Sequence, residues 1–394
     1  MSLLPITELQ QEIQNTARSF AERELAPLAA ERDREQRFDR SMANQLAELG
    51  FLGMMIPEQY DGLGLDATTY LLALEEIAAV DASAAVLMSV HNSLPTQMLL
   101  NFGNEAQKQQ FLKPMARGEW LGAFALSEPE AGSDAGSLAC QAVRDGDDWL
   151  LTGTKAWVSH GSEADVILCM ARTDESGNRK GAKGISAFIL SPDLPGFKVG
   201  KKEAKMGLRA SPTVSLILDN CRVPHNRVLG EVGQGFIYAL ASLDHGRLGI
   251  SAQAIGIGRA ALETAARYAL ERKQFQKPIA EFQAIQFKLA NMATQLTAAR
   301  TLLHAAAAAK VRGEGVSRFS SMAKVFCTES AMMVTVEAIQ VLGGYGYVSD
   351  YPVERYFRDV KGTEIYEGTS EVQRIVIARG ILAAAAANDG SLIN

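Results

Sequence analysis

Cysteine is scarce and scattered. Cys140, Cys169, Cys221 and Cys327 are the only four in 394 residues, and no two of them make a C-x-x-C pair. That spacing argues against a zinc knuckle or a disulfide framework, and for reduced thiols in a reducing compartment. The five histidines form no H-x-x-x-H pair, so a metal site has no support. Basic charge is also short: 39 Lys and Arg against 45 Asp and Glu leave a net charge of -6, which disfavours non-specific nucleic-acid binding. No run of about 20 apolar residues reads as a membrane span. The N-terminus lacks the basic start, apolar core and small-residue cleavage site of a secretory signal. The alanine run at 305–309 is short and flanked by polar residues, so it reads as close helix packing. What is present is 47% hydrophobic and 21% charged. Such a composition suits a soluble globular chain with a large core, and the length allows two or three domains of roughly 150 residues.

Residues 1–120 read as a helical domain. Thr7 and Gln10 have capping-box spacing, and Leu9, Ile13, Ala17 and Phe20 then recur on one face. Met42, Leu46 and Leu49 make a shorter run that Gly50 can end. After a turn at 57–64, Asp66 opens an apolar stretch through Leu71, Leu74, Ile77 and Ala78, and Asn104 with Gln107 caps another helix. Near Trp120 the texture changes. Short runs rich in Val, Ile, Leu and Phe, among them 185–190 and 214–218, alternate with turn signals. These signals are Asp145-Gly146-Asp147-Asp148, Glu175-Ser176-Gly177-Asn178 and 193–196, and together they predict a compact β domain over 121–232. From Gly235 the helical period returns, in long patterns at 252–274, 281–311 and 317–339. Breaks at Lys277-Pro278, 313–315 and 343–347, and a final helix after Thr369, predict a helix bundle over 233–394.

The stretch Tyr366-Glu367-Gly368-Thr369-Ser370-Glu371 falls between two of these helical patterns. Ser370 and Gln373 have capping-box spacing, and Val372, Ile375, Val376 and Arg379 recur at helical spacing. Glu367 and Gly368 are therefore expected in a short turn at a helix N-terminus. On this stretch alone two readings stand: a solvated turn glutamate before an ordinary cap, or a catalytic base beside an anion site.

Five motifs bear on that choice: Leu126-Ser127-Glu128-Pro129-Glu130-Ala131-Gly132-Ser133-Asp134; Lys155-Ala156-Trp157-Val158-Ser159; Arg272-Lys273-Gln274-Phe275; Gln340-Val341-Leu342-Gly343-Gly344; and residues 365–371. In this order, and over essentially the whole chain, the sequence resembles the acyl-CoA dehydrogenase family, most of all its short-chain and short/branched-chain members. The resemblance implies an α+β chain with an N-terminal helical domain, a β-barrel-like middle domain and a C-terminal four-helix bundle. It implies FAD-dependent α,β-dehydrogenation of an acyl-CoA, with Glu367 as the α-proton base and hydride passed to flavin N5.

Carried over by resemblance, Phe124, Leu126, Ser127, Gly132 and Ser133 meet the flavin and its pyrophosphate arm, with Ser133 also near the thioester arm. Trp157 covers the ring and Ser159 bonds near N5. Asp244, Arg247 and Gly368 hold the acyl-CoA, and Thr369 and Glu371 meet the adenosine diphosphate arm. Arg272, Phe275, Gln283, Gln340, Gly343 and Gly344 reach the flavin of a neighbouring subunit, which implies a homotetramer. From the residues alone, 126–133 also reads as a Gly/Ser hairpin and Trp157 as a core residue. Asp244 likewise reads as the start of a helix, with Arg247 solvated.

Gly343-Gly344-Tyr345-Gly346 is not the G-x-G-x-x-G of a dinucleotide fold and follows no strand. Between Ala78 and Gly103, where the acyl end is expected, there is no Lys or Arg, so an uncharged short acyl group, straight or methyl-branched, is expected. An electron-transfer flavoprotein is the expected electron acceptor. The alternatives are an acyl-CoA oxidase or flavin monooxygenase of the same fold, or a nucleic-acid-associated flavoprotein. A start at Met1 without a presequence implies a bacterial cytoplasm, or the mitochondrial matrix for a processed form.

Overall fold

The computed structural model describes residues 5–173 and 181–387. The predicted turn at Glu175-Ser176-Gly177-Asn178 lies outside the described residues. The chain begins with helices. Helix α1 (Glu8–Phe20) runs through one wide turn into α2 (Ala26–Glu35), and α3 (Arg40–Glu48), α4 (Ala67–Val80), α5 (Ala82–Ser93) and α6 (Pro95–Phe102) follow. Two short pieces, α7 (Glu105–Gln107) and α8 (Lys113–Ala116), lead to the sheet. The predicted start signals at Thr7, Asp66 and Asn104 act as N-caps, and the Thr7/Gln10 and Asn104/Gln107 boxes close reciprocally.

The middle of the chain forms β1 (Gly122–Ala125), β2 (Gln141–Asp145), β3 (Asp148–Ser159), β4 (Val166–Arg172), β5 (Ile185–Leu190), β6 (Phe197–Lys202), β7 (Thr213–Val223) and β8 (Val228–Leu229). The strand order is β6-β7-β3-β2-β4-β5-β8, with β1 parallel on β4. Gly146 and Asp147 make the two-residue turn between β2 and β3, with Gly146 at φ +64°. The sheet folds over its own core of Leu151, Val158, Ile167, Cys169, Phe188, Val214 and Leu216. Strands β4 and β5 are buried at every residue. Their second face packs Val166, Leu168, Met170, Ile185, Ala187 and Ile189 against Met98, Leu99, Phe111 and Met115 of the helical segment. A strand buried on both faces reads as a continuous apolar run, and 185–190 shows this in sequence.

Beyond the sheet come α9 (Gly235–Glu271), a small hairpin of β9 (Lys273–Gln274) and β10 (Lys277–Pro278), and then α10 (Gln283–Val311), α11 (Ser317–Leu342), α12 (Val353–Thr363) and α13 (Ser370–Ala386). The bundle does not have a core of its own. Leu71, Leu74, Ile77 and Leu87 of the first helices lie in one cluster with Ile255, Ile257, Leu303 and Val334 of the bundle. Pairs of buried charges stitch the same joint: Glu75 on α4 meets Arg300 at 2.7 Å and His304 at 2.8 Å on α10, and Glu76 meets Arg259 of α9 at 2.6 Å. Residues Ser317–Gly346 are long and apolar enough to cross a membrane by length and composition, and half of that window is buried inside the fold.

Two local expectations are corrected. Asp244-His245-Gly246-Arg247 does not open a helix: it lies inside α9, which starts at Gly235 because Phe236, Ala239 and Leu243 pack toward the sheet-facing core. The residue that caps α13 is Thr369, whose Oγ1 accepts from Val372 N at 3.3 Å, while Ser370 is buried in the first turn. Gln373 closes no box: its Nε2 donates to two carbonyls of the preceding turn, and its Oε1 has no partner among the described residues.

Candidate active site

Glu367 and Gly368 form a turn in which both residues have left-handed backbone, with φ +53° and +91°. Ile365 N and Tyr366 N bond Gly362 O, and Ser370 N bonds Glu364 O, so the end of α12 passes directly into α13. The turn aims the Glu367 side chain at the inner face of α9. There a Cβ built at Gly246 would overlap Glu367 Oε2, so the missing side chain is the space the carboxylate occupies. Both carboxylate oxygens are buried and neither has a hydrogen-bond partner. Burial raises this carboxyl to about 7, against the opposing pull of Lys324 and Arg247.

The surroundings are built from four helices. Arg247 of α9 is buried, with Nη1 donating to Asp244 Oδ1 at 2.6 Å and to Ser321 Oγ at 3.3 Å. Lys324 of α11 donates to Gly368 O at 2.7 Å. Tyr366 Oη bonds Gln253 Oε1 at 2.5 Å. One turn beyond Gly246, Gly249 faces the buried hydroxyls of Tyr70 of α4 and Ser89 of α5. Lys324, Tyr70, Ser89 and Gln253 were not singled out in sequence, and Gln373 was read only as part of a helix cap. They come from distant segments, and no local pattern marks them.

A second group lies on the sheet. Ser127 O accepts from Ala156 N at 2.9 Å, which ties the loop after β1 to β3. Buried Lys155 bonds Leu126 O at 3.1 Å and Glu128 Oε1 at 2.7 Å. Simple alternation along β3 does not hold at Trp157: the register shifts between Lys155 and Val158, and Trp157 has φ +61°. This bulge leaves its indole 63% exposed, so Trp157 is not a core residue. Phe124 and Ser159 are half-buried, Leu126 is buried, and Gly132 and Ser133 are exposed.

The third group sits at the other end of the bundle. Arg272 lies over the Tyr345 ring at 5.5 Å, next to Gly343 and Gly344, and Phe275 is 88% exposed. Gln283 and Gln340 are exposed nearby at helix ends. At 1.5 Å per residue, Arg272 is about 39 Å along α9 from Gly246. Thr369 and Glu371 belong to the first group, at the start of α13. Among the described residues no group of three or more His, Cys, Asp or Glu side chains is placed to hold a metal.

Residues 7–119, 123–221 and 233–382 match the N-terminal, middle and C-terminal domains of acyl-CoA dehydrogenases. The mitochondrial short-chain specific acyl-CoA dehydrogenase of Mus musculus is 48% identical over 377 residues, 96% of this chain and 91% of that protein. Butyryl-CoA dehydrogenase from Megasphaera elsdenii superposes with a TM-score of 0.94 at 43% identity, covering 97% of this chain and 100% of that one. A structure described as an electron transferring flavoprotein of Acidaminococcus fermentans, solved toward a mechanism of flavin-based electron bifurcation, gives 0.94 at 46% identity with the same coverage. The chain belongs to the acyl-CoA dehydrogenase family and is an FAD-dependent oxidoreductase.

Proposed function

We propose that this enzyme dehydrogenates a short, uncharged acyl-CoA to the trans-2-enoyl-CoA, with Glu367 removing the α proton. One observation carries the reading: a buried carboxylate with no partner on either oxygen, raised to about 7. A general base is most effective when its pKa lies near the working pH, and a group left unpaired has its lone pairs available for a substrate C–H. FAD, when bound, supplies the acceptor for the β hydrogen.

The residues present fit that cofactor. Trp157 offers an open aromatic face, Ser127, Ser133, Ser159 and Thr369 offer hydroxyls, and a Cβ at Gly132, Gly343 or Gly344 would meet nothing within 4 Å. Phe124, Leu126 and Glu371 complete the same side, while Asp244, Arg247 and Gly368 hold the acyl-CoA. Arg272, Phe275, Gln283, Gln340, Gly343 and Gly344 are too far along the bundle to touch the flavin that faces Glu367. They meet the flavin of another subunit, and the enzyme works as a homotetramer of three-domain chains divided near 120 and 232. Its acceptor is an electron-transfer flavoprotein, and it acts in a bacterial cytoplasm, or in the mitochondrial matrix as a processed form.

The uncharged substrate rests on the wall formed by α5 and α6, buried almost throughout and without Lys or Arg. The test is anaerobic. The yellow holoenzyme is expected to bleach with butyryl-, isobutyryl- or 2-methylbutyryl-CoA, and Glu367→Gln to bind FAD and fail to bleach. Preference for octanoyl- or glutaryl-CoA would overturn the substrate class. Rapid peroxide formation in air in place of reduction of the flavoprotein acceptor would make it an oxidase.

A further inference from the structure

Glu367 has left-handed backbone with a full side chain, an arrangement that is strained and persists only when its surroundings hold it. Two buried donors hold it here. Lys324 Nζ bonds Gly368 O at 2.7 Å from α11, and Gln373 Nε2 bonds Gly368 O at 2.9 Å and Glu367 O at 3.2 Å from α13. Lys324 is 1% exposed and Gln373 is 0% exposed. Among the described residues no carboxylate bonds Lys324, and its hydrogen bond goes to a neutral carbonyl. Burying an ammonium without a paired anion is expensive, and the carboxylate that acts on it most strongly is the unpaired one of Glu367.

We propose that Lys324 is a positioning residue with two separable effects: its hydrogen bond fixes the turn that aims Glu367, and its charge keeps the free enzyme's Glu367 ionised and ready. The proposal rests on Glu367 being the base. The groups that bear on Glu367 are Lys324 from α11, Arg247 with its partner Asp244 from α9, Tyr70 from α4 and Tyr366 from its own segment; Glu364 and Glu371 act on Lys324. Among them Lys324 alone combines a positive charge with a bond to the turn. Gln373 supplies the bond without the charge.

The test compares holoenzymes. In the wild type, kcat/KM rises with pH through the ionisation of Glu367. Lys324→Gln keeps a donor for Gly368 O and removes the charge, so this acidic limb is expected to move to higher pH by about 1 unit. Gln373→Leu removes grip and no charge: kcat falls about tenfold while the limb stays in place. A limb unmoved in flavin-bound Lys324→Gln overturns the proposal. If that variant does not yield a yellow protein, Lys324→Arg decides: it keeps the charge and displaces the donor, so kcat falls with the limb unmoved. An unchanged kcat in Lys324→Arg overturns the proposal equally. Glu367→Gln separates the two readings: retained turnover there removes the base itself, whereas lost turnover with an unmoved limb in Lys324→Gln removes only the role of Lys324.

Discussion

Lys155 and Lys324 are both buried, at 0% and 1% exposure, and each lies near a glutamate in a loop that meets the active site. On the sheet, Glu128 is bonded at both oxygens: it accepts from Lys155 Nζ at 2.7 Å, Ala139 N at 2.6 Å and Cys140 N at 3.0 Å. In the bundle, Lys324 bonds a backbone carbonyl and the Glu367 carboxylate is left with no bond at all. The ingredients are the same and the wiring differs. A carboxylate bonded at both oxygens holds a loop in place. One whose lone pairs are buried and unused holds nothing, and is available to a substrate.

The comparison can be broken from either side. The largest effect is expected from Glu367→Gln, which should lower turnover about 10²–10⁴-fold while FAD stays bound, read by steady-state rates and the flavin spectrum. Near-normal rates would put Glu367 in the class of Glu128. Next comes Lys155→Met, which strands the Glu128 charge and should cost about 3–5 kcal/mol in denaturant unfolding. If Glu128→Gln added to it did not recover part of that loss, the pair would not be the reason. Third, Gly246→Ala pushes a methyl into the space of the carboxylate and should cut turnover roughly 10- to 100-fold with little change in melting temperature. Equal rates in that variant would show that the carboxylate can swing away without cost.

The smallest effect is one of pH. A glutamate raised to about 7 in the folded chain holds its proton longer than in the unfolded chain, so the folded state binds more protons between about 4.5 and 7. Stability from this group is present at pH 4.5 and below, and is lost as pH rises through 7. Glu367→Gln, which stays neutral, should therefore be more stable than the wild type at pH 8, by on the order of 3 kcal/mol, and nearly equal to it at pH 4.5. Denaturation at the two pH values checks the sign. A larger gap at pH 4.5 would contradict it.

Much of the framework is legible in the residues. Caps at Thr7, Asp66 and Asn104, the strand at 185–190 and the Gly146-Asp147 turn depend on neighbours within a few positions, and a local pattern suffices for them. The errors share a cause. Ser370 has the spacing of a cap, but the left-handed turn before it makes Thr369 the N-cap and directs two carbonyls at Gln373 Nε2. Asp244 looks like a helix start until the packing of Phe236, Ala239 and Leu243 against the sheet side extends α9 backward over it. Trp157 has a strand neighbourhood, and the bulge that exposes it arises from pairing with β7, more than fifty residues away.

At Glu367 the division is clearest. The sequence by itself determined that a glutamate and a glycine stand in a turn before a helix, within motifs that place the chain in its family. It did not determine that the carboxylate would be dry and unpaired. That depends on Gly246 leaving a space on α9, on Lys324 gripping the next carbonyl from α11, and on Tyr70 closing the side toward α4. Desolvation is a property of what surrounds a group, and here the surroundings come from segments tens to hundreds of residues away. Only the packing of those helices could leave this turn glutamate buried and unpaired.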